Sequence, residues 1–595
     1  MTKLGSLKQA KSLSDVAKLV GFTPTGLAYI LYRMPESAKY RTFEIPKRSG
    51  GTRTIKAPTD ELALAQSRLN ELLGACVQEL SRDNPRFWAA AHGFRQGRSI
   101  VTNANVHRSR RYVFNIDIAN FFDSINFGRV RGFFIKDRAF NLAPDVATII
   151  AQMACFENAL PQGSPCSPVI SNFVAGILDA RLLRLAKHAR CTYTRYADDL
   201  TFSTNERLFP TEIATELAGP DWCASPRLSQ VVETSGFELN PSKTRMSLRR
   251  SRQTVTGLVV NEKPNIKQEY YRDTRSMCSS LFKSGTWHRR KAQDKEQTAN
   301  LRPLEGRLAH IYYVKARHDR SQKHNKGAGY TPPVAPVELY RKFLYYKHFV
   351  ANELPTIVTE GVSDITYLKC AIKSLSAKFP NLVSHSHGKI KVNLQFLNPT
   401  GTSRSVLNLA HGAAGQATLI QQYSNRLKHY RHCPLAMPVI ILCDNDDGPK
   451  EAFKNASGKG QKKTVSKTTT DPFYYLGDNL YLVKVPEKGL PSRDMEDMFP
   501  ASVLSELVDN KPFKKDKDHG DGTAYGKVIF AEKVVRPKTG TAIFNDFEEL
   551  LDRIAACMAD YSAILAAKSA ASSPAPSFPT PSAAAAAPST AKAKP

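Results

Sequence analysis

The stretch Tyr196-Ala197-Asp198-Asp199 constrains this chain more than any other. Thr192-Tyr193-Thr194-Arg195 precedes it and Leu200-Thr201-Phe202-Ser203 follows, with β-branched and aromatic residues at period two. The spacing predicts a hairpin carrying two adjacent carboxylates at a solvent-reaching tip. Such a pair alone is commonly a solvated turn, so a further acid is needed. Asp117 supplies it, at the end of Tyr112-Val113-Phe114-Asn115-Ile116. This run reads as a strand delivering a carboxylate to a sheet edge, with an aromatic turn through Phe121 and Phe122 beyond. Three carboxylates can hold two divalent cations roughly 3.5–4 Å apart, one activating an attacking hydroxyl and the other stabilising a leaving pyrophosphate. That is nucleotidyl transfer chemistry, and Mg2+ suits it because it prefers carboxylate, water and phosphate oxygens.

The 595 residues include 84 Lys and Arg against 54 Asp and Glu, an excess of 84 − 54 = +30. Such an excess predicts affinity for nucleic acid, because each neutralised phosphate releases a condensed counterion. Ten cysteines occur without a Cys-x-x-Cys pair, which argues against zinc and against a disulfide framework. No apolar run approaches the length that crosses a membrane, and Met1 to Lys8 lacks the apolar core of a signal peptide. A reduced, cytoplasmic protein is expected.

In chain order, residues 12–32 read as two short helices with Ser14 or Thr23 as N-caps. Residues 41–55 read as a hairpin with a Ser49-Gly50-Gly51 tip, whose Lys47, Arg48 and Arg53 are candidates to hold template backbone and nucleotide phosphates. Residues 262–352 look helical and basic, and the Ala, Pro, Ser and Thr tail from 568 to 595 cannot bury a core and is expected to be disordered.

The motifs around the acids resemble those of reverse transcriptases, in family order. Asn115 to Phe122 matches the segment holding the first metal ligand, Asp117, and Phe122 resembles the bulky gate that rejects a ribose 2′-OH. Leu160-Pro161-Gln162-Gly163-Ser164-Pro165 matches the next, with Gln162 and Gly163 at nucleotide or template. Asp198 and Asp199 complete the metal set. Phe237 to Thr244 resembles the last motif, with Lys243 a candidate proton donor to pyrophosphate. Asn103-Ala104-Asn105-Val106-His107 and Val255-Thr256-Gly257 resemble the two signatures of retron enzymes, making Asn103, His107, Val255, Thr256 and Gly257 candidates for RNA recognition. A hydrogen-bonded core role suits Asn103 and His107 as well.

A second composition begins near Leu354. Pro355-Thr356-Ile357-Val358-Thr359-Glu360-Gly361 and Pro438-Val439-Ile440-Ile441-Leu442-Cys443-Asp444-Asn445-Asp446 are apolar strands ending in acidic turns. Uniformly apolar strands alternating with helices indicate a parallel sheet covered on both faces, with ligands at the carboxyl ends. The pair resembles the Toprim fold of topoisomerases, primases and OLD-type nucleases, with Glu360, Asp444 and Asp446 as catalytic metal ligands. Glu496, in Asp494-Met495-Glu496-Asp497-Met498, is a further candidate.

The expectation is a multidomain α+β and α/β chain. A right-hand polymerase would occupy 1–352, with fingers and palm to about 260 and a helical thumb over 261–352. A Toprim-like parallel-sheet domain would occupy 353–567. The resemblance implies a bacterial retron enzyme that copies a structured noncoding RNA into branched, RNA-linked msDNA from dNTPs. Its two Mg2+ ions would lie in the palm, with one or two Mg2+ or Mn2+ ions in a fused nuclease that acts on DNA or RNA as a toxin in antiphage defence. Self-association is open and no membrane partner is expected. The alternatives are an intron-like reverse transcriptase with a DNA endonuclease, and a second domain that only scaffolds nucleic acid.

Overall fold

The computed structural model describes residues 2–47, 50–84, 88–217, 221–288, 298–317, 335–409, 412–490 and 492–572. Two compact units divide the chain: Met1–Tyr271 with Tyr313–Lys326, and Arg272–Tyr312 with Gly327–Pro595.

The first unit opens with helices Lys3–Gln9, Leu13–Leu19 and Pro24–Ala28. Ser12, rather than Ser14, caps the second through a reciprocal box with Asp15, and Thr23 caps the third as expected. Strands β1 (Tyr40–Pro46) and β2 (Thr52–Pro58) form the expected antiparallel hairpin. Arg48 lies outside the described residues. Four antiparallel strands form the sheet under the acids: β3 (Tyr112–Asp117), β4 (Thr192–Tyr196), β5 (Asp199–Thr204) and, after a small β6–β7 hairpin (Ala214–Glu216, Trp222–Ala224), β8 (Arg245–Leu248). Their order is β4-β5-β3-β8. β3 is therefore an interior strand, not one at a sheet edge; Phe114 and Ile116 are buried by neighbours on both sides. Helix Ser167–His188 buries Val169, Phe173, Leu178, Leu182 and Leu185 in the core and exposes a stripe through Ile177, Ala180, Leu183 and Lys187. Strands β9 (Thr254–Val255) and β10 (Leu258–Val259) make a two-residue hairpin with Thr256 and Gly257 both at positive φ, +46° and +80°.

The second unit holds β11 (Thr356–Val358), a β12–β13 hairpin (Val383–Ser386, Lys389–Val392), β14 (Gln395–Phe396), β15 (Val439–Cys443), β16 (Tyr474–Gly477) and β17 (Leu480–Lys484). The sheet order is β14-β11-β15-β17-β16, parallel except for β16. Successive strand residues serve opposite faces. Ile357, Ile440 and Leu442 meet helix Val362–Ser374, while Val358, Val439 and Ile441 meet helix Ala413–Leu427.

The core on that second face also contains Met277, Leu281, Phe282, Leu304, Leu308, Phe343 and Tyr346. Helices expected to form a thumb, Gln268–Ser284, Arg302–Tyr312 and Ala335–Tyr345, therefore bury their apolar sides with the second sheet. The compact units part at Tyr271, not at the expected 352/353 boundary. Helix Glu548–Ser572 runs through Lys568, where the tail was expected to begin; its alanines favour helix. The rest of the tail, 573–595, lies outside the described residues. No described helix is long and apolar enough to cross a membrane.

Candidate active sites

β3 ends on Asp117 and β5 begins on Asp199, and the two residues are cross-strand partners. Between β4 and β5 the chain turns through Ala197, at φ +56°, and Asp198, whose carbonyl accepts from the Ile118 N–H at 3.0 Å. Three carboxylates from two distant segments thus share one end of the sheet. Burial beneath the neighbouring chain, then the charges of Asp198 and Asp117, push Asp199 up to about 6, although part of the residue faces solvent. Burial and Asp117 likewise raise Asp198, against which Lys243 and Arg53 act. Arg53 of the β1–β2 hairpin therefore lies within electrostatic reach of the acids, and it and Lys47 are exposed.

Among the described residues, no three His, Cys, Asp or Glu side chains are gathered closely enough to hold a metal ion as they stand. In the palm, Lys243 Nζ donates to both oxygens of Asp117, at 2.9 and 3.0 Å. The donor set nevertheless fits Mg2+: it is all oxygen, and its mutual repulsion is what a divalent cation removes.

The turn is clamped from behind by residues the sequence reading missed. Arg195, fully buried, donates from Nε and Nη2 to Asp179 at 2.9 and 2.7 Å. Its Nη1 donates to Asn172 Oδ1 at 3.1 Å and the Ala197 carbonyl at 3.2 Å. A Cβ on Gly93 would lie 2.6 Å from the Ala197 nitrogen, so only glycine permits this approach. Asp179 lies on one face of helix Ser167–His188, and that inward-facing charge in an apolar helix was the available signal.

Gly163, at φ +126°, is also a site of close approach, but to the β2 backbone. A Cβ there would meet the Lys56 carbonyl at 2.8 Å, and the Gln162 carbonyl accepts from Lys56 N–H at 2.9 Å. Ser164 donates to Gln66, which in turn donates to Tyr40 and Met153. This motif ties the hairpin to helix Asp60–Asp83 and to the loop that leads into helix Ser167–His188. Phe122 is half-buried, its ring 6.2 Å from that of Phe94 and 5.3 Å from that of Phe121.

The family model for reverse transcriptase (RNA-dependent DNA polymerase) matches residues 45–269, the segment that carries these acids. Retron Mx162 reverse transcriptase of Myxococcus xanthus is 36% identical over 276 residues, 44% of this chain and 55% of that protein. Retron Mx65 reverse transcriptase of the same organism is 34% identical over 317 residues, 50% of this chain and 67% of that protein. The chain belongs to the retron-type reverse transcriptases. It spans about half to two thirds of the length of these relatives. A solved telomerase structure from Candida tropicalis, truncated from its C-terminal domain, aligns at 13% identity with a TM-score of 0.28. It covers 39% of this chain and 56% of that one.

The two segments that resemble retron signatures meet within the first unit. His107 is wholly buried with its ring nitrogens 2.7 Å from Ser203 Oγ and 2.7 Å from Thr194 Oγ1. Thr194 Oγ1 also lies 2.6 Å from Asn103 Oδ1, so Asn103, Thr194, His107 and Ser203 form one buried hydrogen-bonded chain. Burial lowers His107 to about 3. Thr256 Oγ1 donates to the Ile100 carbonyl, which ties the β9–β10 turn to the helix bearing Asn103. Val255 is buried as well, while Gly257 is exposed. Direct RNA contact is thus closed to Asn103, His107 and Val255; Asn103 and His107 brace β4 and β5.

In the second unit, β11 continues into Glu360 and β15 into Asp444. The chain leaves β11 for β14 on one side and returns to β15 on the other, so the strand order reverses between these two. A crevice opens at the carboxyl ends of strands at such a reversal. Asp444 is pushed well above the usual carboxylate range by burial, then Asp364, Glu360, Glu496 and Asp494. Burial, Asp364 and Asp446 raise Glu360, which accepts the Ala413 N–H. Asp364 and Asp494 were missed; Asp364 lies in the first turn of helix Val362–Ser374, where it accepts the Gly361 N–H at 2.8 Å. Glu496 does not point a free carboxylate at a metal. It is fully buried, with Tyr367 Oη 3.2 Å from Oε1 and Lys527 Nζ 2.9 Å from Oε2; burial raises it to about 7 against the pull of Lys527. Lys515 Nζ lies 2.9 Å from Asp494 Oδ2 and 2.6 Å from Asp497 Oδ1.

Proposed function

We propose that this protein is an RNA-directed DNA polymerase that copies a structured noncoding RNA from a 2′-OH within it, leaving branched, RNA-linked msDNA. The observation that carries this is the pairing of Asp117 with Asp199 beside Asp198 at one sheet end. Asp117, Asp198 and Asp199 would hold Mg2+, which lowers the pKa of the attacking hydroxyl and neutralises the departing pyrophosphate. The attacking oxygen forms a bond to the α-phosphorus of a dNTP as the bond to pyrophosphate breaks. Lys243, kept protonated by its hydrogen bond to Asp117 and by the acids around it, is placed to hand a proton to that leaving group once it turns from Asp117. Phe122 presents an apolar ring to the sugar, and Lys47 and Arg53 present cations to phosphates.

The second unit fits a Toprim-like nuclease acting as a toxin in antiphage defence, with Glu360, Asp444 and Asp446 as ligands to Mg2+ or Mn2+ and DNA or RNA as the target. The acidic crevice at the strand reversal supports this. A noncatalytic scaffold is favoured instead by the lysine pairs that close Glu496 and Asp494. Glu360→Ala and Asp444→Ala separate the readings: loss of protection and of metal-dependent cleavage with DNA synthesis intact supports the nuclease, while unchanged protection sinks it. The polymerase reading is tested by a gel of co-purifying nucleic acid. A short DNA that shifts but survives RNase, and is lost in Asp198→Ala/Asp199→Ala, is expected; its absence with the cognate locus present would refute the retron product.

A further inference from the structure

We propose that Phe94 is a specificity-determining residue, the second wall of the nucleotide's sugar pocket, and that discrimination between deoxyribose and ribose depends on the Phe94 and Phe122 pair. This rests on the polymerase reading above.

The placement of Phe94 follows from backbone pairing. Arg195 N–H donates to the Ala90 carbonyl at 2.8 Å, and His92 N–H donates to the Arg195 carbonyl at 2.8 Å, so residues 90–92 run parallel beside β4. β4 leads directly into the catalytic turn. Gly93 touches the Ala197 nitrogen, and the next residue, Phe94, emerges level with Asp198.

Two features set Phe94 apart. Its φ is +55°, a left-handed conformation that a bulky aromatic residue rarely takes. Its side chain is also left in solvent, with the residue 45% exposed. Strain of this kind persists where the surrounding structure enforces it, and it concentrates at ligand sites. Here the enforcement is visible: the hydrogen bonds to β4 and the Gly93 approach hold the backbone, and Arg95 Nη1 donates to the Trp88 carbonyl just behind it.

The ring completes a row. Phe237 is buried and stacks on Phe121 at 5.7 Å; Phe121 meets Phe122 edge-on at 5.3 Å; Phe122 faces Phe94 at 6.2 Å with the planes tilted by 52°. The row is anchored in the core at Phe237 and open at Phe94. Gly93, next to Phe94, abuts the Ala197 nitrogen one residue before Asp198, so the open end of the row lies beside the catalytic turn. The two tilted rings touch and form one apolar wall, against which the C2′ edge of deoxyribose packs. A 2′-OH placed there would lose its water hydrogen bonds without gaining a partner.

The test is single-nucleotide incorporation by the full chain on an RNA template with a DNA primer, comparing dNTP with rNTP in unaltered protein, Phe94→Ala, Phe94→Leu and Phe122→Ala. Phe94→Ala is expected to raise KM for dNTP and lower the dNTP-to-rNTP preference by roughly tenfold, the scale of one apolar contact in a specificity pocket. Phe94→Leu, which keeps apolar bulk, should recover part of the preference. In a fifth protein, Phe94→Ala/Phe122→Ala, the effect should fall short of the product of the single effects, since the two rings touch and form one wall. A preference within twofold of the unaltered protein in Phe94→Ala, or an equal fall in kcat for both sugars with no change of preference, would overturn the proposal. Incorporation by the unaltered protein that vanishes in Asp198→Ala establishes the polymerase reading separately; no incorporation by the unaltered protein overturns both.

Discussion

Lys243 Nζ bridges both carboxylate oxygens of Asp117, at 2.9 and 3.0 Å, and so stands where a metal would draw on the same oxygens. The lysine side chain is 56% exposed against 7% for the aspartate, so it is the partner free to leave.

Competition between the lysine and a cation has a measurable consequence. Lys243→Met should let Mg2+ stabilise the protein at several-fold lower concentration, because Asp117 no longer has to give up a partner. DNA synthesis should nevertheless fall by roughly a hundredfold through loss of the proton donor. Melting temperature against Mg2+ concentration, set beside incorporation rate, checks both. Weaker Mg2+ binding in the variant would exclude competition.

Arg195 and Asp179 are a buried ion pair, and removing one partner leaves the other charge without compensation. Arg195→Met should destabilise the first unit by about 3–5 kcal/mol. Arg195→Met/Asp179→Leu should recover most of that stability but not DNA synthesis, since the Ala197 carbonyl and Asn172 still lose their shared donor. Chemical denaturation and incorporation assays of the three proteins decide the matter. Full activity in the double variant would show that the guanidinium does not position the turn.

His107 ties stability to pH. Burial lowers it from its ordinary 6.5 to about 3, so the folded protein holds it neutral while the unfolded chain takes up a proton below 6.5. The unfolded state then binds more protons, and stability falls as pH drops from 6.5 towards 3. His92, lowered to about 4 by burial and then by Arg98 and Arg95, adds in the same direction over a narrower window. His107→Gln should shift the whole curve down yet make it shallower by one proton between pH 6 and 4. Denaturant midpoints across that range test it; an unchanged slope would mean that His107 is charged in the fold.

Fragments report where the second unit begins. A piece spanning 353–567 lacks Phe343, Tyr346, Leu304 and Leu308 and would expose the sheet face they cover. It should aggregate or melt without cooperativity, whereas 272–572 should be soluble with a single transition. Size exclusion and calorimetry distinguish them, and a well-folded 353–567 piece would restore the boundary expected at 352/353.

How much of this was legible in advance depended on how local each signal is. Alternation around Tyr196 to Asp199 and the apolar runs before Asp117, Glu360 and Asp444 are carried by neighbouring residues. Side-chain period and turn chemistry determine them wherever the segment ends up. The hairpin, the strand ends and the acids at those ends were therefore available from sequence. Partner choice was not, because it is settled by which distant surfaces can be buried together. Nothing near Arg195 identifies Asp179 or Gly93 as its neighbours, and nothing near Glu496 identifies Tyr367 and Lys527. Burial likewise turned Asn103 and His107 from candidate RNA contacts into braces of the catalytic hairpin. The helices between 268 and 350 read correctly as helices, but only packing assigned their apolar sides to the second sheet. The sequence alone determined the elements and their acids; tertiary structure decided which faces meet, because burying apolar area and pairing buried charge are properties of the assembled core.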